Sequence, residues 1–317
     1  MNLAARRRVN PSGHAAARPV VAPGAPCVLK IGGDLLEDSR KRRALVGGVV
    51  RTRAHLPLVV VHGGGAQVSR VAEKLGLKPT FRQGLRVTDE PMAEVAEMVL
   101  SGQVNKALVA TLVQEGVPAI GLSGKDLGLV EAVAVPGLGR VGVPLRVRAE
   151  RLWELLALGY TPVLASIAAD ARGQTLNINA DHLAAAVAGA IGARHLLLLS
   201  SSGGVRRDPD NRRSSLVRML STLEVEARIA LGALTRGMIP KVRAAKRALE
   251  QGVERVGILA PGSAAELSGA LRHGKGKGTW IVRGPETLPR KSKTLRLSSP
   301  TRRKRGGPGT APAKEGV

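Results

Sequence analysis

Two glycine turns, each at the end of an apolar run, are the segments of this chain best suited to chemistry. The first run is Val28-Leu29-Lys30-Ile31-Gly32-Gly33, and the second is Leu58-Val59-Val60-Val61-His62-Gly63-Gly64-Gly65. A β-branched run that ends in glycines is typical of a buried strand that turns sharply into a helix. Glycine lets the backbone approach a ligand closely, and a helix N-terminus offers unpaired N–H groups to an anion. The pair predicts a site for phosphate or carboxylate oxygens at a sheet edge, to which Lys30 adds positive charge.

Arg86 lies between a short strand-like run and a long predicted helix, which Asp89 can cap. A guanidinium group binds a carboxylate through two parallel hydrogen bonds, so this position suits the carboxylate of a substrate. A surface ion pair explains the same arginine without any ligand. The sequence leaves both interpretations open.

Asn177, Asn179 and Asp181 alternate along the sequence where a predicted helix begins. In an extended segment the three side chains share one face, from which they could bind a substrate and orient a catalytic lysine. Asn and Asp are also the preferred capping residues of helices. Taken alone, the pattern favours capping.

Lys241 follows Pro240 at the predicted start of another helix, and Gly237 lies just before it. Proline is favoured in the first turn of a helix. A cation at this positive end of the helix dipole is unfavourable unless an anion binds there. The local conflict therefore indicates a functional role for Lys241.

Strand-like and helix-like segments alternate between these motifs. Strands are predicted at 27–31, 57–61, 117–121, 161–166, 194–200 and 254–260, and helices at 66–75, 91–115, 148–158, 180–192, 222–230 and 240–251. This alternation predicts an α/β fold with a mainly parallel sheet that helices cover on both faces. We also expect short strands or hairpins at 80–87 and 128–147, and a surface loop at 206–215 that separates two lobes.

The composition excludes several classes of protein and of site. The chain has four aromatic residues in all, too few for a platform that stacks nucleic-acid bases. Cys27 is the only cysteine, which excludes an intramolecular disulfide and a thiolate metal cluster and fits the cytoplasm. No apolar run approaches the roughly 20 residues of a membrane span. The histidines are scattered, so we expect no metal held by protein side chains.

The chain is strongly basic, with a formal net charge of +25. Residues 1–26 are expected to form a flexible basic arm, and residues 286–317 a disordered basic tail. The tail could contact polyanions non-specifically. The domain between them is basic as well, which suits an anionic substrate.

Eight motifs occur in an order that resembles the amino-acid kinase family and, within it, the group of acetylglutamate kinases. They are KIGG at 30–33, HGGG at 62–65, GLRVTD at 84–89, EMVLSGQVNK at 97–106, GLSGKD at 121–126, NINAD at 177–181, GMIPK at 237–241 and GKGT at 276–279. Each motif is weak alone, but the ordered set is specific and covers residues 27–283. GLRVTD together with GMIPK distinguishes this group from aspartokinases, uridylate kinases and carbamate kinases.

The resemblance implies an open α/β/α sandwich with a central, mainly parallel sheet. It implies one kinase domain over residues 27–285, with an acyl-amino-acid site in an N-terminal lobe at about 27–193 and an ATP site in a C-terminal lobe at about 194–285. The implied reaction transfers the γ-phosphoryl group of ATP, with Mg²⁺, to the side-chain carboxylate of N-acetyl-L-glutamate. It gives N-acetylglutamyl 5-phosphate and ADP in L-arginine biosynthesis.

The resemblance also implies the role of each matching residue. Lys30 and Lys241 would neutralise charge on the transferring phosphoryl group, and Asp181 would orient the two lysines. The residues that would bind the acceptor are Gly64, Gly65, Arg86, Asn177 and Asn179. Those that would bind the phosphates or the rest of ATP are Gly32, Gly33, Gly63, Ser200, Gly204 and Met238. Mg²⁺ would bridge the β- and γ-phosphates without a protein ligand.

The chain departs from the family pattern at a few positions. Ser200-Ser201-Ser202 replaces the usual Thr-Asp-Val, Asp34 replaces a small or amide residue, and Arg236 replaces a glycine. Two alternatives therefore stay open: a kinase for a related acyl-amino acid such as aminoadipate on an acidic carrier protein, and a regulatory homologue with weakened catalysis. The proline-rich residues 1–26 do not suit the long N-terminal helix of arginine-inhibited hexamers, so we expect a homodimer.

Overall fold

The apolar runs of the sequence form strands whose Val, Leu and Ile side chains are buried on both faces of a sheet. The computed structural model describes residues 24–284 except Asp38, Gln83, Gly84, Arg212, Arg236 and the side chains of residues 39–41. Predictions for residues 1–23, 285–317, Gly84 and Arg236 lie outside the described residues. The strands are β1 (Cys27–Ile31), β2 (Leu58–His62), β3 (Thr80–Arg82), β4 (Leu85–Val87), β5 (Ala119–Ser123), β6 (Val130–Ala134), β7 (Val141–Val147), β8 (Thr161–Ala165), β9 (Ile167–Ala169), β10 (Thr175–Ile178), β11 (His195–Leu199), β12 (Met219–Ser221), β13 (Arg255–Leu259) and β14 (Thr279–Val282).

Eight of these strands form the central sheet, in the order β12-β14-β13-β11-β1-β2-β8-β5. Every neighbouring pair is parallel except β13 and β14. β1 lies between β2 and β11, so the chain continues from the middle of the sheet toward both edges. At such a switch point the carboxyl ends of neighbouring strands open a crevice in which α/β proteins bind ligands.

Helices cover both faces of the central sheet. They are α1 (Gly33–Glu37), α2 (Ser39–Arg53), α3 (Gly65–Lys74), α4 (Glu90–Glu97), α5 (Asn105–Gln114), α6 (Ala149–Ala157), α7 (Ala180–Ala190), α8 (Thr222–Ala230), α9 (Ile239–Glu250) and α10 (Ala264–His273). Alternate residues of β1 belong to two separate cores: Val28 packs with α7 and α9, whereas Leu29 packs with α2, α3, α5 and α10. The predicted α/β sandwich with a mainly parallel sheet is confirmed.

The six predicted core strands are all present, and the two hairpin regions become the antiparallel pairs β3–β4 and β6–β7. The helical segment predicted over 91–115 is present, but it is not an α-helix throughout. α4 ends at Glu97, residues Met98–Val104 form a π-helix, and α5 begins at Asn105. The π-helix was not foreseen, because the side-chain pattern alone does not reveal a change from i→i+4 to i→i+5 hydrogen bonds.

β6, β7, β9 and β10 form a second, small sheet that closes on itself. β10 runs directly into α7 and so carries the segment 177–181 to the central crevice. The described residues of 206–215, which exclude Arg212, form the expected surface loop, and a bridge between Arg206 and Leu216 joins its ends. The division into an N-terminal and a C-terminal lobe stays a prediction.

The described residues up to Gly284 form one compact unit. In this part of the chain, no helix combines the length and the apolar character that crossing a bilayer requires. The Cys27 thiol is buried in β1, and burial raises its pKa to about 11. Cys27 is therefore a packing residue and not a reactive thiol.

Candidate active site

A cavity of about 450 Å³ opens at the carboxyl ends of β1, β2 and β11. It brings together most of the residues that the sequence predicts for the site: Lys30, Gly32, Gly33, Gly63, Gly64, Gly65, Arg86, Asn177, Asn179, Asp181, Ser200 and Lys241. The other two predicted residues, Gly204 and Met238, line a neighbouring cavity.

Lys30, Asp181 and Lys241 form a cluster of three charges, here called the lysine–aspartate cluster. Asp181 Oδ1 lies 2.8 Å from Lys30 Nζ, and Asp181 Oδ2 lies 2.8 Å from Lys241 Nζ. The Lys241 contact has hydrogen-bond geometry, whereas the Lys30 contact is ionic without that alignment. Lys30 extends from β1, Asp181 from the first turn of α7 and Lys241 from the first turn of α9. Three elements thus hold two cations around one carboxylate.

The charges of the cluster determine the ionisation of its members. Burial by itself would raise the pKa of Asp181, but attraction from Lys30 and Lys241 lowers that pKa to about 2. Burial lowers the pKa of Lys30, and attraction from Asp181 opposes this change. The carboxylate is therefore ionised at neutral pH. Two lysines thus face a single carboxylate in this wall of the cavity.

The two glycine turns lie in contact beside this cluster. A Cβ atom added to Gly33 would lie 2.6 Å from the Cα atom of Gly64 and 2.9 Å from Oε1 of Gln67. A Cβ atom on Gly64 would lie 2.7 Å from the side chain of Leu100. Only glycine permits the approach at Gly33, where the added atom would meet backbone, whereas a larger residue at Gly64 would have to displace the Leu100 side chain. The second turn leads into α3, whose first N–H groups and positive dipole end suit an anion.

Arg86 is buried in the cavity wall and is not a surface residue, because only 8% of it is exposed. Its Nη2 atom donates to the carbonyl oxygen of Gly65 and to the hydroxyl of Ser69, each at 2.7 Å. The centroid of the Phe81 ring lies 4.8 Å from the guanidinium carbon of Arg86. Its buried Nη1 atom has no hydrogen-bond partner among the described residues, so Arg86 keeps a donor for a ligand carboxylate.

Asn177 and Asn179 line the same cavity but have different bonds. The side-chain oxygen of Asn179 accepts from the N–H groups of Asp181 and His182 at 2.9 and 3.3 Å, so the expected helix cap is present. The side-chain nitrogen of Asn177 donates to the Thr88 hydroxyl at 3.3 Å. Thr88 in turn donates to the carbonyl oxygen of Arg86, which links the two predicted acceptor-binding residues.

The neighbouring cavity has a volume of about 410 Å³, and Ser201 lines both cavities. Its lining combines apolar and hydroxyl side chains with Arg206, which suits the base and sugar of a nucleotide. Gly204 allows the chain to pass close to Thr279, since an added Cβ atom would lie 2.6 Å from the Thr279 hydroxyl. That hydroxyl accepts from the N–H of Val205 at 2.8 Å, so the GKGT motif supports this wall.

Three residues that line or support the cavity wall were missing from the sequence-based site, and of these only Phe81 lines the cavity itself. Gln67 donates to the carbonyl oxygen of Gly33 at 3.0 Å, Ser69 accepts from Arg86, and Phe81 lies against its guanidinium group. Gln67 and Ser69 follow the second glycine turn within the first turns of α3, and this spacing was the only signal for them. Phe81 had none, because the fold alone brings the hairpin β3–β4 over the cavity edge.

Comparisons with known proteins agree with this architecture. Residues 25–260 match the amino acid kinase family. The acetylglutamate kinase of Symbiobacterium thermophilum is 39% identical over 271 residues, which cover 82% of this chain and 92% of that protein. The acetylglutamate kinase of Methylobacterium nodulans is 43% identical over 247 residues, which cover 73% of this chain and 80% of that protein.

A solved structure shares the fold as well. N-acetylglutamate synthase from Neisseria gonorrhoeae, solved with coenzyme A and N-acetyl-glutamate, superposes with a TM-score of 0.71 at 26% identity. The match covers 82% of this chain and 60% of the synthase chain. The chain therefore belongs to the amino acid kinase family, and the relatives that it resembles over most of its length are acetylglutamate kinases.

Proposed function

We propose that this protein is an ATP-dependent kinase that phosphorylates the side-chain carboxylate of N-acetyl-L-glutamate in L-arginine biosynthesis. Its products are N-acetylglutamyl 5-phosphate and ADP. The names of its relatives support the substrate and the pathway. The observation that carries the proposal is the lysine–aspartate cluster. It lies where the two glycine turns and the N-termini of α7 and α9 come together.

The reaction needs charge neutralisation and positioning more than covalent catalysis. An oxygen of the acceptor carboxylate attacks the γ-phosphorus, the bond from that phosphorus to the β–γ bridging oxygen breaks, and ADP leaves with the electron pair. Lys30 and Lys241 approach the γ-phosphoryl oxygens from two elements. Asp181 positions both ammonium groups, and its attraction for each offsets their mutual repulsion.

The acceptor would bind on the side of the cavity that carries Arg86. Its α-carboxylate would take the free Nη1 donor of Arg86, and Asn177 would bind the amide region. N–H groups of Gly64 and Gly65 would bind carboxylate oxygens. Gly32, Gly33, Gly63 and Ser200 would bind the phosphates, and Gly204 and Met238 would contact the rest of ATP in the neighbouring cavity.

ATP would enter with Mg²⁺. The described residues include no group of three or more His, Cys, Asp or Glu side chains that could hold a metal ion alone. A cavity rich in glycine N–H groups and lysines fits a metal-bound triphosphate, whose cation would take its ligands from phosphate oxygens and water. When bound, Mg²⁺ supplies positive charge that neutralises the β- and γ-phosphate oxygens.

We further propose that the enzyme acts in the cytoplasm as a homodimer with an acceptor lobe and a nucleotide lobe. The free, buried thiol of Cys27 suits a reducing compartment. Sedimentation velocity of the full chain tests the dimer, and a monomeric or hexameric mass would contradict it.

The test of the activity is ADP release with ATP and Mg²⁺ in the presence of N-acetyl-L-glutamate, L-glutamate or N-acetyl-aminoadipate. We expect the highest kcat/KM with N-acetyl-L-glutamate. Lys241→Ala should lower kcat by at least about 100-fold. Lys246→Ala is the matched control on the same helix, because Lys246 pairs with Glu226 and Glu250 away from the cavity, and it should keep the activity.

Two results would overturn the proposal. Turnover only with an aminoadipate attached to an acidic carrier protein would assign the enzyme to a related acceptor. ATP binding without turnover of any acceptor would make the chain a regulatory homologue.

A further inference from the structure

Asp34 places a second carboxylate in the cavity that we assign to the phosphates. It lies in α1, directly after the first glycine turn, and its side chain is exposed to the cavity. The other acidic residue that lines this cavity is Asp181, whose two oxygens both face lysines. Asp34 is thus the acidic group of this lining that the lysine–aspartate cluster leaves available.

The Asp34 side chain folds back over the glycine turn. A Cβ atom added to Gly32 would lie 2.5 Å from Asp34 Oδ1, so a residue larger than glycine would displace the carboxylate. The carbonyl oxygen of Leu199, at the end of β11, lies 3.6 Å from the same point. Two oxygen atoms from different elements therefore converge above Gly32, where the proposed phosphates bind.

A carboxylate in this position opposes the binding of a bare triphosphate. Like charges repel, and water screens only part of this repulsion at an exposed side chain such as Asp34. The repulsion becomes attraction when a divalent cation lies between the carboxylate and the phosphate oxygens. Mg²⁺ is commonly held in this way, by one or two carboxylates together with substrate phosphates and water.

We propose that the Asp34 carboxylate is a direct ligand of the divalent cation that enters this cavity with the triphosphate of ATP. The inference rests on the proposed function and goes beyond it. It replaces the expectation that protein side chains contribute no metal ligand. Asp34 and the phosphates share the cation, while Lys30 and Lys241 contact the phosphate oxygens that the cation leaves exposed.

The test is calorimetric binding of the β,γ-imido analogue of ATP, with Mg²⁺ and with EDTA, to the full-length protein and to Asp34→Asn. We expect Asp34→Asn to raise the Kd of the magnesium complex by on the order of tenfold or more. Binding in EDTA should be unchanged or tighter, because a repulsive charge has been removed. Glu37→Gln is the matched control on the same helix; Glu37 pairs with Arg70, and both Kd values should stay as in the unchanged protein.

A thiolate at the same position gives a second test. Asp34→Cys should shift the preference of the bound analogue from Mg²⁺ toward Cd²⁺, because thiolates favour soft cations. Equal or tighter binding of the magnesium complex by Asp34→Asn would overturn the inference, as would an unchanged Cd²⁺ preference in Asp34→Cys. If the unchanged protein fails to bind the magnesium complex, the proposed function is overturned as well. The inference about Asp34 can therefore fail alone, in the variants, while the proposed function stands.

Discussion

The Nε2 atom of His62 lies 3.0 Å from the side-chain nitrogen of Asn105, and both side chains are fully buried. The same nitrogen lies 2.9 Å from the carbonyl oxygen of Val163, which can only accept, so it must be the amide nitrogen. Nε2 is therefore an acceptor, and Nδ1 carries the proton that it donates to the carbonyl oxygen of Gly63. A neutral imidazole thus links the second glycine turn to the start of α5.

This link makes stability depend on pH. Burial lowers the pKa of His62 from 6.5 to about 4, although the bond to Gly63 opposes the change. Between pH 6.5 and pH 4, His62 is protonated in the unfolded chain but stays neutral in the folded protein, so acid favours unfolding. We expect the free energy of unfolding to fall by up to about 3 kcal/mol from pH 7 to pH 4 on account of His62. Urea unfolding at several pH values measures the loss.

Other buried groups contribute to the same loss, so the share of His62 needs a variant. Burial also lowers the pKa values of His182 and His195. His62→Gln keeps a polar side chain without a titrating group, and it should make the dependence on pH shallower. An unchanged slope between pH 7 and pH 4 would assign the loss to the other groups.

Asp181→Asn should destabilise the protein far more than Lys30→Met does. The amide leaves two buried or half-buried cations without an anion, which costs about 3–5 kcal/mol for a broken buried pair. Lys30→Met removes a cation whose burial is already unfavourable, and Asp181 keeps Lys241, so we expect a change below about 1 kcal/mol. Urea unfolding at pH 7 measures both. Both variants should lose activity; similar stabilities for the two would contradict this account.

Much of the central sheet could be predicted from the sequence, because a strand buried on both faces leaves a continuous apolar run. Helix α2, in contrast, could not be predicted from the sequence. It contains Gly47 and Gly48, which normally disfavour a helix, and its partner α10 explains why they are there. A Cβ atom on Gly48 would lie 2.6 Å from Leu267 of α10, so the glycines allow close helix packing that only the fold reveals.

The site divides in the same way. The ordered motifs predicted Lys30, Asp181 and Lys241 as site residues. Each lies within two residues of a glycine, a helix cap or a proline whose structural role can be inferred from the local sequence. The contacts of Gln67 and Phe81 depend on how α3 and the β3–β4 hairpin pack against the turns. No short-range pattern encodes that packing, so the support of the predicted residues became visible only in three dimensions.

The two glycine turns predict opposite outcomes for the same substitution. Gly33→Ala should lower the free energy of unfolding by about 1–3 kcal/mol, because its Cβ atom would press on the backbone of Gly64. Gly65→Ala places its Cβ atom in open space at the start of α3. We expect it to leave stability unchanged or to raise it by up to about 1 kcal/mol. Thermal or urea unfolding of the two variants compares them directly, and equal losses would contradict the predicted contact.

Lys125, in the GLSGKD motif, lies outside the lining of the cavity, and we expect it to position the proposed acceptor-binding side indirectly. Its Nζ atom lies 2.8 Å from Glu97 Oε1 and 2.9 Å from the Thr175 hydroxyl, which donates to Glu97 Oε2 at 2.6 Å. Although burial raises the pKa of Glu97, these hydrogen bonds hold it below its usual value. The three side chains join the end of α4 to β10, two residues before Asn177.

Lys125→Met should therefore raise the KM for N-acetyl-L-glutamate about 3–10-fold while kcat changes little. The reason is that the variant weakens binding of the acceptor equally in the ground state and in the transition state. Stability should change by less than about 1 kcal/mol, because the pair is one-third exposed and solvent screens it. Lys106→Met is the matched control, since Lys106 bonds only to the carbonyl oxygen of Gly121 among the described residues. Steady-state kinetics separates the outcomes: a fall in kcat with unchanged KM, or equal effects of both variants, would show that Lys125 does not position Asn177.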